Sequence, residues 1–252
     1  MKTAPATLFF GLSLFVILSF ATADEVQVAV AANFTAPMKI VAANFEKETG
    51  HRAMLAFGAT GKFYAQIKNG APFEILLAAD QETPIRMEQD GLVVPGSRST
   101  YAMGKLVLWS SMPDFVDDKG GVLKRGTFQH IALANPKVAP YGVAAWETLT
   151  RMGLQADLQA KCVQGENIAQ TYQFVSTGNA ELGFVALSQV YEDGRFKSGS
   201  GWVVPTDWYA PIRQDVALLT KGKGNPAARA LMVFLESDKA RSVIRSFGYD
   251  LK

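Results

Sequence analysis

Three observations predict an α/β fold built on mixed, mostly parallel sheets with helices on both faces. Short apolar runs of strand length recur along the chain, most are followed by a stretch with helical spacing, and Gly, Asn or Pro punctuates the junctions. Alternation of this kind favours layers of helix over largely parallel sheet.

The first unit is clear. Residues Glu25 to Ala31 read EVQVAVA, an alternating strand. Met38, Val41, Ala42 and Phe45 then follow at helical spacing, with Thr35 as the expected N-cap, Pro37 in the first turn and Gly50 past the end. His51 to Phe57 is the second strand, Gly58-Ala59-Thr60-Gly61 a small-residue turn, and Lys62 to Lys68 a helix stopped by Asn69-Gly70. Phe73 to Ala79 suits a buried strand, Asp80 ends it, and Glu82 to Gln89 is helical. Further strands are expected at Lys105–Trp109, His130–Ala134, Glu181–Val185 and Val216–Thr220. Further helices are expected at Tyr141–Met152, Ile168–Ser176, Pro226–Glu236 and Lys239–Ser246.

The N-terminus reads as an export signal. Lys2 precedes an apolar run from Leu8 to Phe20, and Ala21-Thr22-Ala23 is an A-x-A cleavage pattern. The run is short for a membrane span, which takes about 20 apolar residues. Residues 1–23 are therefore expected to be a cleaved signal peptide, giving a periplasmic protein that begins near Asp24. Their removal takes away one of 25 basic residues and none of 23 acidic ones, so the mature formal charge is +1. Nothing in that balance favours nucleic acid, whose binding rests on clustered Lys and Arg. The single cysteine, Cys162, has no partner for an internal disulfide and no companions for a zinc or redox motif, and reads as a small core side chain. His51 and His130 are far apart and begin strands, which argues against a metal role, and no cofactor is expected. Asp80 reads as a helix cap or hinge contact, and Trp202, Trp208 and Tyr209 as packing at a lobe edge.

In open α/β sheets, ligands lie beyond the carboxyl ends of strands, where loops lead into helix N-termini rich in free N–H groups. Three such loops are built from small or neutral residues: Ala31-Ala32-Asn33-Phe34-Thr35, Gly58-Ala59-Thr60-Gly61 and Ala139-Pro140-Tyr141-Gly142. Ala32 and Ala59 leave room for close approach to the backbone. Asn33 offers an amide N–H₂, Thr60 a hydroxyl, and Tyr141 a backbone N–H and a ring that either donates its hydroxyl or walls the pocket. None of the three contains Lys or Arg, which describes a site that holds an anion through neutral donors.

These segments carry a family resemblance. AANFTAPM, FGATG, YAQIKNGAPFEILLAADQ, GKLVLWS, NPKVAPYG, ELGFVALSQV and the closing FGYDLK stand in this order along the chain. The sequence resembles the periplasmic molybdate-binding proteins of ABC transporters over essentially its whole mature length. The most specific segment is NGAPFEILLAAD. The resemblance implies the type II periplasmic-binding fold, two α/β lobes joined by crossing strands, with residues 24–103 and 214–252 in lobe 1 and 104–213 in lobe 2. It implies capture of molybdate or tungstate, bound only as the oxyanion, by a monomer that serves an ABC permease in the inner membrane. It also implies ligand positions. Asn33 stands where many members have serine, Thr60 keeps the hydroxyl of the second loop, and Tyr141 and Ile168 stand at the third-loop and later-helix backbone donors. Some members have a tyrosine where this chain has Ala186.

An oxyanion with four acceptors and no proton matches a site made only of donors, and a protonated phosphate would need an acceptor as well. Two alternatives remain at this point. One is a binder of the same fold for another anion or for iron, which would call for clustered Tyr, His or carboxylate ligands. The other is an enzyme on a bilobal scaffold, which would need a paired acid and base in the cleft.

Overall fold

A computed structural model describes residues 23–251, and the expected signal segment lies outside them but for Ala23. The chain builds β1 (Glu25–Ala31), α1 (Thr35–Thr49), β2 (Arg52–Gly58), α2 (Thr60–Lys68), β3 (Ile75–Leu77), α3 (Glu82–Gln89) and β4 (Ser99–Gly104). It continues through β5 (Leu106–Ser110), α4 (Val122–Arg125), β6 (Ile131–Ala134), α5 (Pro140–Arg151), α6 (Gln155–Gln159), β7 (Cys162–Gly165), α7 (Ile168–Ser176), β8 (Leu182–Ala186) and α8 (Leu187–Val190). A small hairpin, β9 (Tyr191–Glu192) with β10 (Arg195–Phe196), precedes β11 (Ser200–Val203). The chain returns through β12 (Ile212–Leu218) to α9 (Pro226–Leu235) and α10 (Asp238–Ser246).

Two five-stranded sheets result, β2-β1-β3-β12-β4 and β11-β5-β8-β6-β7, so the molecule has two lobes. The expectation of mostly parallel sheets is corrected. β1 runs parallel to β2 and β3, and β6 parallel to β7 and β8, but β12 is antiparallel to β3 and β4, and β5 to β8 and β11. The cause lies in the crossings. The chain leaves the first sheet along β4, enters the second along β5, and comes back along β12. The outgoing and returning strands lie side by side in opposite directions.

Each sheet is covered on both faces because its strands alternate. Val26, Val28 and Val30 of β1 point to one side, packing with Met38, Val41 and Phe45 of α1 and Leu231 of α9, while Ala29 meets Phe63 and Ile67 of α2 on the other. In the second lobe Leu106 and Leu108 join Leu133, Ala145 and Leu149, whereas Val107 and Trp109 join Val175 and Val185. A fully buried Leu, Val or Phe contributes about 1.5–3 kcal/mol. The sheets are therefore held rigidly, and what they hold are the loops at their carboxyl ends.

Local signals explain most boundaries. Gly50 adopts the left-handed conformation (φ 75°) that ends α1, its N–H donating to Glu46 O. Asp80 is a cap: its carboxylate accepts from the backbone N–H and hydroxyl of Thr83 at 2.8 and 3.2 Å. Burial pushes this carboxyl above its usual range against those two bonds. Trp202 and Trp208 pack edge to face at 5.3 Å, and the Tyr209 hydroxyl accepts from the Leu106 N–H. Half-buried Cys162 lies against the second-lobe core, and burial pushes its thiol up to about 11, far from a reactive thiolate. No helix among the described residues is long and apolar enough to cross a membrane.

Candidate functional site

Four helix N-termini, two from each lobe, meet at one small cavity. Asn33, Thr60, Tyr141, Ile168, Ala32 and Ala59 all line it, together with Ala31, Gly58, Ala79, Ala139, Pro140 and Asn167. No Lys, Arg, His, Asp or Glu is among them. The cavity is small, leaving about 10 Å³ to the centre of a water-sized sphere, and most of its lining residues are buried.

The first terminus differs from expectation. Thr35 is not an N-cap, because α1 is preceded without a break by a 3₁₀ turn over Ala32–Phe34. Its hydroxyl instead donates to Ala32 O at 2.9 Å. The helical run thus starts three residues early, and the N–H groups without an upstream acceptor are those at Ala32 and Asn33, beside the cavity. The helix expected from Lys62 likewise begins at Thr60, with Ala59 extended before it and no side-chain cap. The Thr60 hydroxyl accepts the Ala79 N–H at 3.0 Å. That bond fixes the oxygen and leaves its proton for a further acceptor.

The second lobe contributes backbone. At α5, Pro140 occupies the first turn and has no N–H, and the Gly142 N–H turns back to Ala139 O at 2.8 Å. That leaves the Tyr141 N–H. At α7 the Asn167 side chain accepts from the Ala169 and Gln170 N–H groups at 2.9 and 3.0 Å, and the Thr171 N–H goes to Asn167 O. The cap leaves the Ile168 N–H alone. Each of these helices thus presents a main-chain donor at its positive end.

The Tyr141 hydroxyl faces away from the cavity, where it accepts from Gln214 Nε2 at 3.1 Å, so the ring is a wall and not a ligand donor. The Asn33 amide has partners on its nitrogen side. Its Nδ2 donates to Gln214 Oε1 at 2.8 Å and to the Tyr249 hydroxyl at 2.9 Å, while the buried Oδ1 has no partner among the described residues. Burial pushes the Tyr249 hydroxyl up to about 12 and holds those of Tyr101 and Tyr141 well above the ordinary phenol value, so this layer carries protons and no charge at neutral pH. Sequence reasoning missed Gln214, Tyr101, Ser188 and Tyr249 behind the cavity. Tyr249 sits in the closing FGYDLK, and Gln214 just before the strand expected at Val216–Thr220. At Ala186 the N–H is taken by Gln189 Oε1 at 2.9 Å, and Ser188 reaches back to Asn33 O at 2.8 Å.

The lobes close over the site at the cleft mouth. The Gly61 N–H donates to Val138 O at 3.0 Å, and Lys62 pairs with Glu166 at 2.6 Å. A Cβ on Gly61 would stand 3.0 Å from Val138 Cα, so a side chain here would press the two backbones apart by a few tenths of an ångström.

The profile of the family described as bacterial extracellular solute-binding protein matches residues 26–250. The chain belongs to this family. Among relatives of this solute-binding protein, the molybdate-binding protein ModA of Azotobacter vinelandii is 61% identical over 92% of both chains. That of Rhodobacter capsulatus is 51% identical over 91% of this chain and 89% of its own. The solved Azotobacter vinelandii periplasmic molybdate-binding protein superposes with a TM-score of 0.87 at 39% identity, covering 90% of this chain and 99% of that one. These relatives are named for binding and not for catalysis. Among the described residues of the solute-binding protein, no group of three His, Cys, Asp or Glu is placed to hold a metal ion.

Proposed function

We propose that this chain is the solute-binding component of an ABC importer and captures molybdate or tungstate between its lobes. The observation that carries the reading is the convergence of four helix N-termini and the Thr60 hydroxyl on a small cavity without a charged lining residue. The molybdate-binding relatives at 61% and 51% identity support the choice of ion. In this reading Thr60, Asn33 and the backbone at Ala32 and Ala59 hold the oxyanion from one side, and the Tyr141 and Ile168 N–H groups from the other. Helix dipoles and aligned N–H groups spread its charge, so no counter-cation is needed. Each hydrogen bond to a charged oxygen contributes about 1.5–3 kcal/mol, roughly one to two powers of ten in affinity. A lining of donors disfavours protonated phosphate, which also needs an acceptor, and sulfate differs from molybdate by its smaller size. The chain acts as a monomer, is exported by cleavage near Ala23, and presents its closed form to a permease in the inner membrane.

Calorimetry with molybdate, tungstate, sulfate and phosphate tests the reading. Tight binding of the first two and weak or no heat with the others is expected. Tight sulfate binding without molybdate heat would defeat it.

A further inference from the structure

Behind the cavity lies a closed set of polar side chains that the capture reading does not use. Gln214 is fully buried on β12, at a bulge between Gln214 and Asp215. It does not line the cavity, yet it touches residues from both lobes that do. Its Oε1 accepts from Asn33 Nδ2 and from the Tyr101 hydroxyl at 2.8 and 3.0 Å, and its Nε2 donates to the Tyr141 hydroxyl at 3.1 Å.

This arrangement is mismatched in two places. Tyr101 has one hydroxyl proton but stands 3.0 Å from Gln214 Oε1 and 3.1 Å from Ala78 O, both acceptors. Asn33 commits its whole N–H₂ to Gln214 and Tyr249, leaving its carbonyl oxygen as the orphaned end. An orphaned carbonyl beside a cavity repels an anion. Turning both amides over cures both faults. Gln214 Nε2 then donates to Asn33 Oδ1 and to Tyr101, Tyr101 donates to Ala78 O, and Tyr141 donates to Gln214 Oε1. The Tyr249 hydroxyl, which stands 3.0 Å from both Asn33 O and Ser188 Oγ, redirects its one proton to Asn33 Oδ1, and Asn33 O keeps the Ser188 hydroxyl as its donor at 2.8 Å. Every atom stays in place but for the exchange of O and N within two amides, and the Asn33 N–H₂ becomes free for the cavity.

We infer that Gln214 is a positioning residue for oxyanion capture: by donating to Asn33 Oδ1 it turns the Asn33 amide so that N–H₂, not C=O, faces the ligand. The inference rests on the capture reading above and deepens it. Gln214 is suited to the task because an amide can present either a donor or an acceptor on the same side, whereas a carboxylate can only accept.

The test is a double-mutant cycle read by calorimetry with molybdate. In Gln214→Glu the carboxylate accepts from Asn33 Nδ2 and holds the carbonyl toward the ligand, so affinity falls about tenfold or more, the scale of one charge-assisted hydrogen bond. Asn33→Ala weakens binding by a similar factor. In Asn33→Ala the further change to Gln214→Glu then has an effect of about threefold or less. A full, additive loss in that background would mean simple charge repulsion and overturn the inference, as would wild-type affinity in Gln214→Glu. A second readout needs no variant. In ¹⁵N-labelled wild-type protein, the side-chain amide signals of both Asn33 and Gln214 shift on adding molybdate. Movement of Asn33 alone would overturn the relay while leaving the capture reading intact. Absence of molybdate and tungstate binding to wild type would defeat the capture reading, and the relay with it.

Discussion

The first lobe reaches the cavity with the side chains of Asn33 and Thr60 as well as with main chain, whereas the second reaches it with the main-chain N–H groups of Tyr141 and Ile168. The difference follows from how each helix begins. In α2 no side chain caps the terminus, and the Thr60 hydroxyl is held by Ala79 instead. In α7 Asn167 caps the terminus fully and leaves a single first-turn donor over. A side-chain donor can be deleted by ordinary substitution. A backbone donor survives any substitution except proline, so the two halves are open to different kinds of change.

That asymmetry can be broken most strongly at Thr60. Thr60→Val keeps the shape but removes the hydroxyl. Molybdate affinity should fall by one to two powers of ten, about 1.5–3 kcal/mol. The orphaned Ala79 N–H should cost a further ~1–3 kcal/mol of stability, seen as a lower urea midpoint. Thr60→Ser should restore most of both. Next is Ile168→Pro. Proline is favoured at the first helical position, and Asn167 is already extended (φ −151°, ψ 173°) as a residue before proline must be. This change removes one N–H from the second half while circular dichroism should show the helix content retained. Affinity should fall about tenfold or more, and an unchanged affinity would remove Ile168 from the site. Gly61→Ala acts on neither half but on their meeting. Its Cβ presses on Val138, so binding should weaken a few-fold, roughly 1 kcal/mol of strain against closure, and small-angle scattering should show the bound form less compact. The smallest effect is expected for Tyr141→Phe, which keeps the backbone donor. Affinity should stay within about threefold of wild type, with about 1 kcal/mol lost from the melting transition for the Gln214 bond.

These predictions draw unevenly on what the chain displays before folding. Elements governed by neighbours were legible: Gly50 and Asn69-Gly70 marked helix ends, Pro140 marked a helix start, and β1 alternated as a strand should. The three small-residue loops were legible because their composition is local, and residues of all three line one cavity. Ile168 came only from family resemblance, since the pattern of which N–H groups Asn167 takes cannot be read from spacing. The start of β12 was hidden for a stronger reason. Arg213, Gln214 and Asp215 are polar side chains just before the expected strand, yet Gln214 and Asp215 are wholly buried. Gln214 is satisfied by Asn33, 181 positions away, and Asp215 by Arg98, Thr100 and Gln81, the first 117 positions away at 2.7 Å. Polar burial of this sort exists only once distant partners arrive. The antiparallel pairing of β12 was missed for the same reason, because direction at a lobe crossing is a property of the whole path.

The seam at Gly61 and Val138 sets a clock as well as a shape. Lys62 and Glu166 pair beside it, with little free space beneath, so an ion held there would leave by way of a seam that these contacts keep shut. In the capture reading, dwell time would depend on how readily the lobes part along that seam. Two cargoes of unequal affinity would then leave at rates set by how firmly each biases the shut form.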